Sequence, residues 1–298
     1  MRVHHLNCIS SCPLGGRLMD ASTPSLLRRG HLTCHCLVVE VGSQLVLVDT
    51  GFGLRDVADP ASRLSRLFLL LLGPDFRVEM TAVRQIERLG LDPRDVRHIV
   101  LTHLDFDHAG GLDDFPHAEV HLLARERDAA LAQASALDRM RYRPQQWGTR
   151  ERWRVYQSGE GDSWYGFDRV HALDGLPPDI ALVPLIGHTL GHCGVAVRRD
   201  TDWLLLAGDA YFFHDELDPI EPWCPPGLRL YQRLMDKDRT ARLWNQQRLR
   251  TLRREHPDAV TLTCSHDVHE FERLSGRSAR IPAHSLTGRW PATPPSLV

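Results

Sequence analysis

Apolar positions along the chain fall into short runs set apart by turn residues. Cys36-Leu37-Val38-Val39-Glu40-Val41 and Leu45-Val46-Leu47-Val48 flank Gly42-Ser43-Gln44, and the second run ends in Asp49-Thr50-Gly51. That pattern predicts a β-hairpin. Val78 to Leu89 has helical spacing at Val83, Ile86 and Leu89 and stops at Gly90, so an amphipathic helix is predicted there. His98 to Leu101, Glu119 to Leu123, Ile180 to Leu185, Trp203 to Leu206 and Ala259 to Cys264 read as further strands. Arg229 to Glu255 is predicted to be one long amphipathic helix, with Leu230, Leu234, Leu243, Leu249 and Leu252 as its core stripe. Strands and helices in this mixed order predict an α/β protein.

Three stretches break the rhythm. Leu67 to Leu72 is densely apolar but far shorter than the roughly 20 residues that span a bilayer, so it reads as a buried or pocket-lining helix. Between 125 and 170 the periodicity weakens while arginine and aromatic residues accumulate, among them Arg139, Arg141, Trp147, Arg150, Arg152, Trp153, Arg154, Trp164 and Phe167. Such a segment suits either a solvated excursion with a few core aromatics or an insertion that caps a site. From 271 to 298 the chain is rich in Pro, Ser and Arg, and an extended tail is expected after a domain of residues 1–270.

Composition narrows the function classes. With 298 residues, 42% of them hydrophobic and 25% charged, the chain is long enough for a well-buried core. The net charge is −2 and Lys237 is the only lysine, so no polybasic tract invites nucleic acid or anionic lipid, and neither partner is expected. Seven cysteines without a paired C-x-x-C framework, and an N-terminal stretch without an apolar h-region, suggest reduced thiols and a cytoplasmic protein.

The chemistry concentrates in Thr102-His103-Leu104-Asp105-Phe106-Asp107-His108-Ala109-Gly110-Gly111. Four metal-capable side chains, His103, Asp105, Asp107 and His108, lie within six residues directly after an apolar strand. They cannot all face one way on a helix or strand, so the segment reads as a loop, with the two glycines letting the backbone fold around ions. Two imidazoles and two carboxylates suit zinc, iron or manganese far better than calcium. A second glycine-flanked string, Gly187-His188-Thr189-Leu190-Gly191-His192, brings two more imidazoles to one tight loop. His98 and His121 are read as structural.

Thr-His-x-x-x-Asp-His-Ala-Gly-Gly closely resembles the signature loop of the metallo-β-lactamase superfamily, usually His-x-His-x-Asp-His, with Asp105 where the second histidine is expected. Flavodiiron proteins carry Glu at that place as an iron ligand, which makes Asp105 a ligand candidate. The resemblance covers roughly residues 30 to 270 and includes Asp49-Thr50-Gly51, the Gly-His-Thr-x-Gly-His string, Asp209 after a short strand and His266 at the end of a late one. It implies an αβ/βα four-layer sandwich, two mixed sheets flanked by helices, with the metals at one edge. It further implies two divalent ions, zinc first with iron or manganese as alternatives. His103, Asp105 and His188 would hold one, and Asp107, His108 and His266 the other. Asp209 would bridge them, while Asp49 and His192 brace the loops. Similarity to the lactonases and glyoxalase II of the family implies hydrolysis of a lactone or ester-type carbonyl by a hydroxide activated at the dinuclear centre, with Asp107 and Tyr211 catalytic and Tyr211 donating to the developing oxyanion. A flavodiiron-like di-iron oxidoreductase and a phosphodiesterase are the competing readings. The expected partner is a small-molecule substrate, with homodimerisation as an option.

Overall fold

The computed structural model describes residues 1–147, 152–157 and 159–280. Its first sheet contains β1 (Arg2–Asn7), β2 (His35–Val41), β3 (Gln44–Val48), β4 (Val96–Val100), β5 (Glu119–Leu123) and β6 (Trp153–Tyr156). Its second contains β7 (Asp162–Trp164), β8 (Phe167–Ala172), β9 (Ile180–Pro184), β10 (Cys193–Arg198), β11 (Trp203–Leu206) and β12 (Val260–Thr263). In both sheets the spatial order follows the sequence. β1 to β3 pair antiparallel and β3 to β6 parallel. β7 to β11 pair antiparallel, and β12 joins β11 in parallel.

Period-2 alternation explains why the hairpin strands are apolar without interruption. On β2 and β3, Leu37, Val39, Val46 and Val48 point to the second sheet, where they meet Leu182, Val195, Val197, Leu204 and Leu206. The intervening Cys36, Val38, Leu45 and Leu47 point the other way, against Ala82, Val83 and Ile86 of the helix Ala82–Arg88. Burial on both faces removes the polar half of the pattern. The second sheet repeats the arrangement, with Leu205 and Ala196 turned outward to Leu249 and Leu252 of the helix Arg239–Glu255. Helix, sheet, sheet, helix is the four-layer sandwich that was expected. Each fully buried aliphatic side chain contributes roughly 1.5–3 kcal/mol to holding the layers together.

Several local expectations need correction. The segment 229–255 is two helices, Pro226–Met235 and Arg239–Glu255, because the Asp238 side chain accepts from the Ala241 amide and starts a new helix. Leu230, Leu234 and Leu243 are consequently exposed, while Leu228, Met235, Leu249 and Leu252 are buried. The helix Arg66–Leu72 buries only Phe68 and Leu72, and Phe68 packs 4.9 Å from Phe106 behind the histidine-rich loop. The described residues between 125 and 170 are mostly scaffold, not a cap. They supply β6 to one sheet and β7 and β8 to the other, with Trp147 in the first core and Trp164 and Phe167 against the second. Arg152 and Arg154 lie at the β6 edge, bonding the His117 carbonyl and Glu119, and Arg150 falls outside the described residues. The tail does not begin at 271. Val268–Ser275 is a helix, and Asn7 Nδ2 on β1 donates to the Ala279 carbonyl at 3.2 Å.

Candidate metal centre

Parallel pairing of β3 with β4, and of β11 with β12, places the C-terminal ends of these strands at one edge. The loop preceding β10 reaches the same edge because β10 runs antiparallel to β11. That is where Asp49, the 103–108 loop, His188, Asp209 and His266 come together, all of them buried. Gly110 is needed here for space rather than for rotation: its φ is an ordinary −61°, but a Cβ would lie 2.2 Å from Asp56 Oδ2. Gly208 does adopt a left-handed φ of 56°, and a Cβ there would lie 2.6 Å from His192 Nε2.

A hydrogen-bond chain decides which nitrogen each imidazole offers. Asp49 accepts from the Thr102 amide at 2.8 Å, from Thr102 Oγ1 at 2.7 Å and from His108 Nδ1 at 2.8 Å. Since Thr102 gives its proton to Asp49, its oxygen accepts from His103 Nδ1 at 2.9 Å. His266 Nδ1 donates to the Thr33 carbonyl at 2.7 Å. In all three rings the proton is therefore held on Nδ1 and the Nε2 lone pair faces the interior, the usual preparation of a metal-ligating histidine. His192 is different. Its Nδ1 donates to the Leu185 carbonyl and its Nε2 accepts from the Asp209 amide at 2.8 Å, so it fixes the backbone of Asp209 and has no lone pair to give a metal. Burial, followed by the His188 imidazole, pushes its pKa down to about 3.

Three groupings at this edge have ligand atoms within 4.8 Å of one another: His103, Asp105 and His188; His103, His108 and Asp209; and Asp107, His108 and His266. Asp209 faces both sides, with Oδ2 3.4 Å from His188 Nε2 and Oδ1 3.3 and 3.1 Å from the Nε2 atoms of His108 and His266. His103 Nε2, His108 Nε2 and Asp209 Oδ1 are buried without a hydrogen-bond partner. Such orphaned atoms are rare and costly in a native interior unless an ion or water meets them. Around Asp107, His108, His266 and Asp209, the nitrogen and oxygen donors fit a divalent ion of the zinc, iron or manganese kind.

The trio containing Asp105 does not offer the same opening. Arg141, fully buried on the helix Ala136–Arg141, donates from Nε to Asp105 Oδ1 at 2.7 Å and from Nη2 to Oδ2 at 2.6 Å. Its Nη2 also lies 2.8 Å from His188 Nε2. Burial alone would raise the Asp105 carboxyl, but the guanidinium beside it holds it well below the usual carboxylate range.

Tyr211 is not where the expectation put it. Its hydroxyl donates into the Glu270 carboxylate, 3.0 Å from each oxygen, and its ring is buried in the second-sheet core. Burial pushes Glu270 up to about 7. The residue after Tyr211, Phe212, stacks on His266 with ring centroids 4.8 Å apart. The phenol close to the site charges is Tyr231, on the helix Pro226–Met235, raised well above its ordinary pKa by burial and then by Asp107, Asp105 and Asp209. Glu126 was also missed: it accepts from the Leu104 amide, Thr189 Oγ1 and the Gly191 amide, tying the two histidine loops together. No sequence signal marks Tyr231 or Glu126. Arg141 had one, since a carboxylate replacing a histidine in a buried site calls for a counter-charge. His98 and His121 sit away from this edge and bond each other at 2.9 Å, with His121 Nδ1 2.8 Å from the Tyr156 hydroxyl, as structural residues do.

Residues 29–266 match the model of the metallo-beta-lactamase superfamily. The chain belongs to that superfamily. Among its superfamily relatives, a probable metallo-hydrolase of Mycobacterium tuberculosis is 40% identical over 272 residues, covering 91% of this chain and 82% of the relative. An N-acyl homoserine lactonase of Bacillus thuringiensis is 30% identical over 125 residues, 40% of this chain and 49% of the lactonase. The crystal structure of a B. thuringiensis lactonase variant with N-decanoyl-L-homoserine bound superimposes with a TM-score of 0.67 at 19% identity, over 93% of this chain and 96% of that one, and shows the shared fold. The protein is thus a metallo-hydrolase of this superfamily. No helix among the described residues is long and apolar enough to cross a membrane.

Proposed function

We propose that the protein hydrolyses an uncharged carbonyl substrate, a lactone or ester with an apolar body. One observation carries the substrate class. A cavity of about 380 Å³ opens beside His266, walled by Leu32, Phe212, Phe213 and Val268, with His31, His214, Asp20, Asp267 and Glu272 among its polar residues. Its described lining contains acids and no Arg or Lys, which repels a phosphodiester and accommodates a neutral carbonyl compound. The lactonases among the relatives support the same class.

Bound at Asp107, His108, His266 and Asp209, a divalent ion supplies Lewis acidity and an acidified water; the donor set favours zinc, with iron or manganese as alternatives. The chain's own residues do the rest. Asp49 and the Thr33 carbonyl fix the tautomers of His108 and His266. The Asp107 carboxylate lies 3.8 Å from His266 Nε2, placed to orient the attacking water and accept its proton. Phe212 keeps one face of His266 dry. Tyr231, held protonated by its surroundings, donates to the carbonyl oxygen as charge develops there. The flavodiiron-like alternative loses its motive, because the carboxylate that suggested it is engaged by Arg141. A reducing, cytoplasmic location suits seven cysteines that are all free thiols.

The test is a panel of lactones, esters, thioesters and phosphodiesters on metal-loaded protein, with two phenylalanine variants. Tyr231→Phe should lower kcat on carbonyl substrates ~10²-fold, the usual effect of removing one oxyanion donor, while Tyr211→Phe should leave kcat unchanged. Phosphodiester turnover exceeding every carbonyl substrate, or a fully active Tyr231→Phe, would sink the respective assignment.

A further inference from the structure

The Asp105 trio can be asked, atom by atom, whether it has anything left for a metal. An arginine has five N–H donors and no acceptor. All five of Arg141 are used inside the protein. Nε reaches Asp105 Oδ1, Nη2 reaches Asp105 Oδ2 and His188 Nε2, and Nη1 reaches the carbonyls of Met235 at 2.7 Å and His188 at 3.3 Å. Met235 is the last residue of the helix Pro226–Met235, so the guanidinium also lies at the negative end of a helix dipole. The side chain is fully buried.

Asp105 by itself does not decide the matter, since each carboxylate oxygen keeps a second lone pair after accepting one hydrogen bond. His188 does. An imidazole nitrogen has one lone pair, and that of Nε2 faces Arg141 Nη2 at 2.8 Å. In the other tautomer Nε2 would carry a proton and donate to Asp105 Oδ2 at 3.1 Å. Both tautomers deny Nε2 to a metal. Of the trio's ring nitrogens, His103 Nε2 and His188 Nδ1 remain without a partner. The first already belongs to the grouping with His108 and Asp209, and the second is not the nitrogen that His188 turns to Asp105 and Asp209, which is Nε2 at 3.1 and 3.4 Å.

We propose that the Arg141 guanidinium takes the place of one metal ion, so that the centre binds a single divalent ion on the Asp107, His108, His266 and Asp209 side. This rests on the metal-dependent reading above and revises its stoichiometry. The replacement of histidine by Asp105 and the delivery of Arg141 from a separate helix are then one feature, a fixed cation and its counter-charge in place of an exchangeable ion. With every N–H committed, Arg141 has none to offer substrate. It is a positioning residue, and polarisation of the carbonyl falls to the one ion and to Tyr231.

Metal stoichiometry tests this without substrate. Protein purified without chelator and equilibrated with zinc should hold one equivalent per chain. Arg141→Met frees the His188 lone pair and leaves Asp105 a ligand, so this variant should rise to two equivalents. Should that variant fail to fold, cobalt(II) titration of the wild-type protein answers alone. Saturation of the visible spectrum at one equivalent, with an uncoupled high-spin signal, is the expected result. Two equivalents of comparable affinity in the wild-type protein, or a magnetically coupled cobalt pair, would overturn the proposal, as would an Arg141→Met protein that folds and stays at one equivalent. The outcomes separate it from the substrate reading: two ions with ester turnover sinks only the stoichiometry, and one ion without turnover of any carbonyl substrate sinks only the substrate class. A wild-type protein that takes up no metal at all sinks both.

Discussion

Two trios of ligand-type residues share Asp209 at the same buried edge, yet they are finished differently. Around Asp107, His108 and His266, each imidazole is anchored through Nδ1 by a protein acceptor and turns Nε2 toward the Asp209 carboxylate. Around His103, Asp105 and His188, a guanidinium engages both Asp105 oxygens and His188 Nε2. The contrast teaches that a ligand motif sets which residues converge, whereas the partners of each lone pair determine what they bind. A histidine whose nitrogen already accepts a hydrogen bond is part of the wall.

The sharpest way to break the comparison is to remove the internal cation. In metal-free protein, Arg141→Met leaves Asp105 buried and uncompensated, and urea unfolding should report a loss of about 3–5 kcal/mol. Adding Asp105→Leu removes the stranded charge and should recover most of it. A loss in the single variant no larger than the ~0.5 kcal/mol of an ordinary surface change would mean that the guanidinium does not compensate Asp105.

A smaller effect is expected on the open side. Asp49→Asn weakens the anchor of His108 Nδ1 without touching the ligand atoms, so chelator competition should show metal affinity reduced ~10–100-fold. Unchanged affinity would make the Asp49, Thr102 and His108 chain a packing feature only.

The effect that builds most gradually, pH unit by pH unit, concerns the residue both sides depend on through Asp209. His192 is held neutral with a pKa of about 3, whereas an unfolded chain protonates its histidines near 6.5. Between these values the unfolded state binds the extra proton, so stability contributed by neutral His192 is present above about pH 6.5 and is lost as pH falls toward 3. Measured against His192→Gln, the wild-type protein should show an additional slope of up to ~1.4 kcal/mol per pH unit in that window. Parallel curves would show that His192 titrates no differently from an exposed histidine.

Much of this was written along the chain. The hairpin at 36–48, the strands leading to His103, Asp209 and His266, and the glycine-flanked His188 loop were legible because period-2 runs and short-range loop chemistry are local properties. β10 was missed, since Cys193-Gly194-Val195-Ala196-Val197 follows the His192 loop so closely that the loop chemistry obscured the run. The aromatics at 147–167 were ambiguous because composition cannot tell a cap from a core, and their burial against the two sheets settled it.

The sequence by itself determined the α/β order of the elements and the residues capable of ligating metal, since these follow from short local patterns, and the resemblance those motifs carry implied the four-layer sandwich. It could not determine which of those residues are free to ligate. That depended on Arg141 reaching back across 36 positions to Asp105 and ahead across 47 to His188, and on Glu270 taking the Tyr211 hydroxyl across 59. A hydrogen bond is satisfied by whatever donor or acceptor stands within about 3 Å. Along this chain only the packing of the two sheets and their helices brings those groups that close.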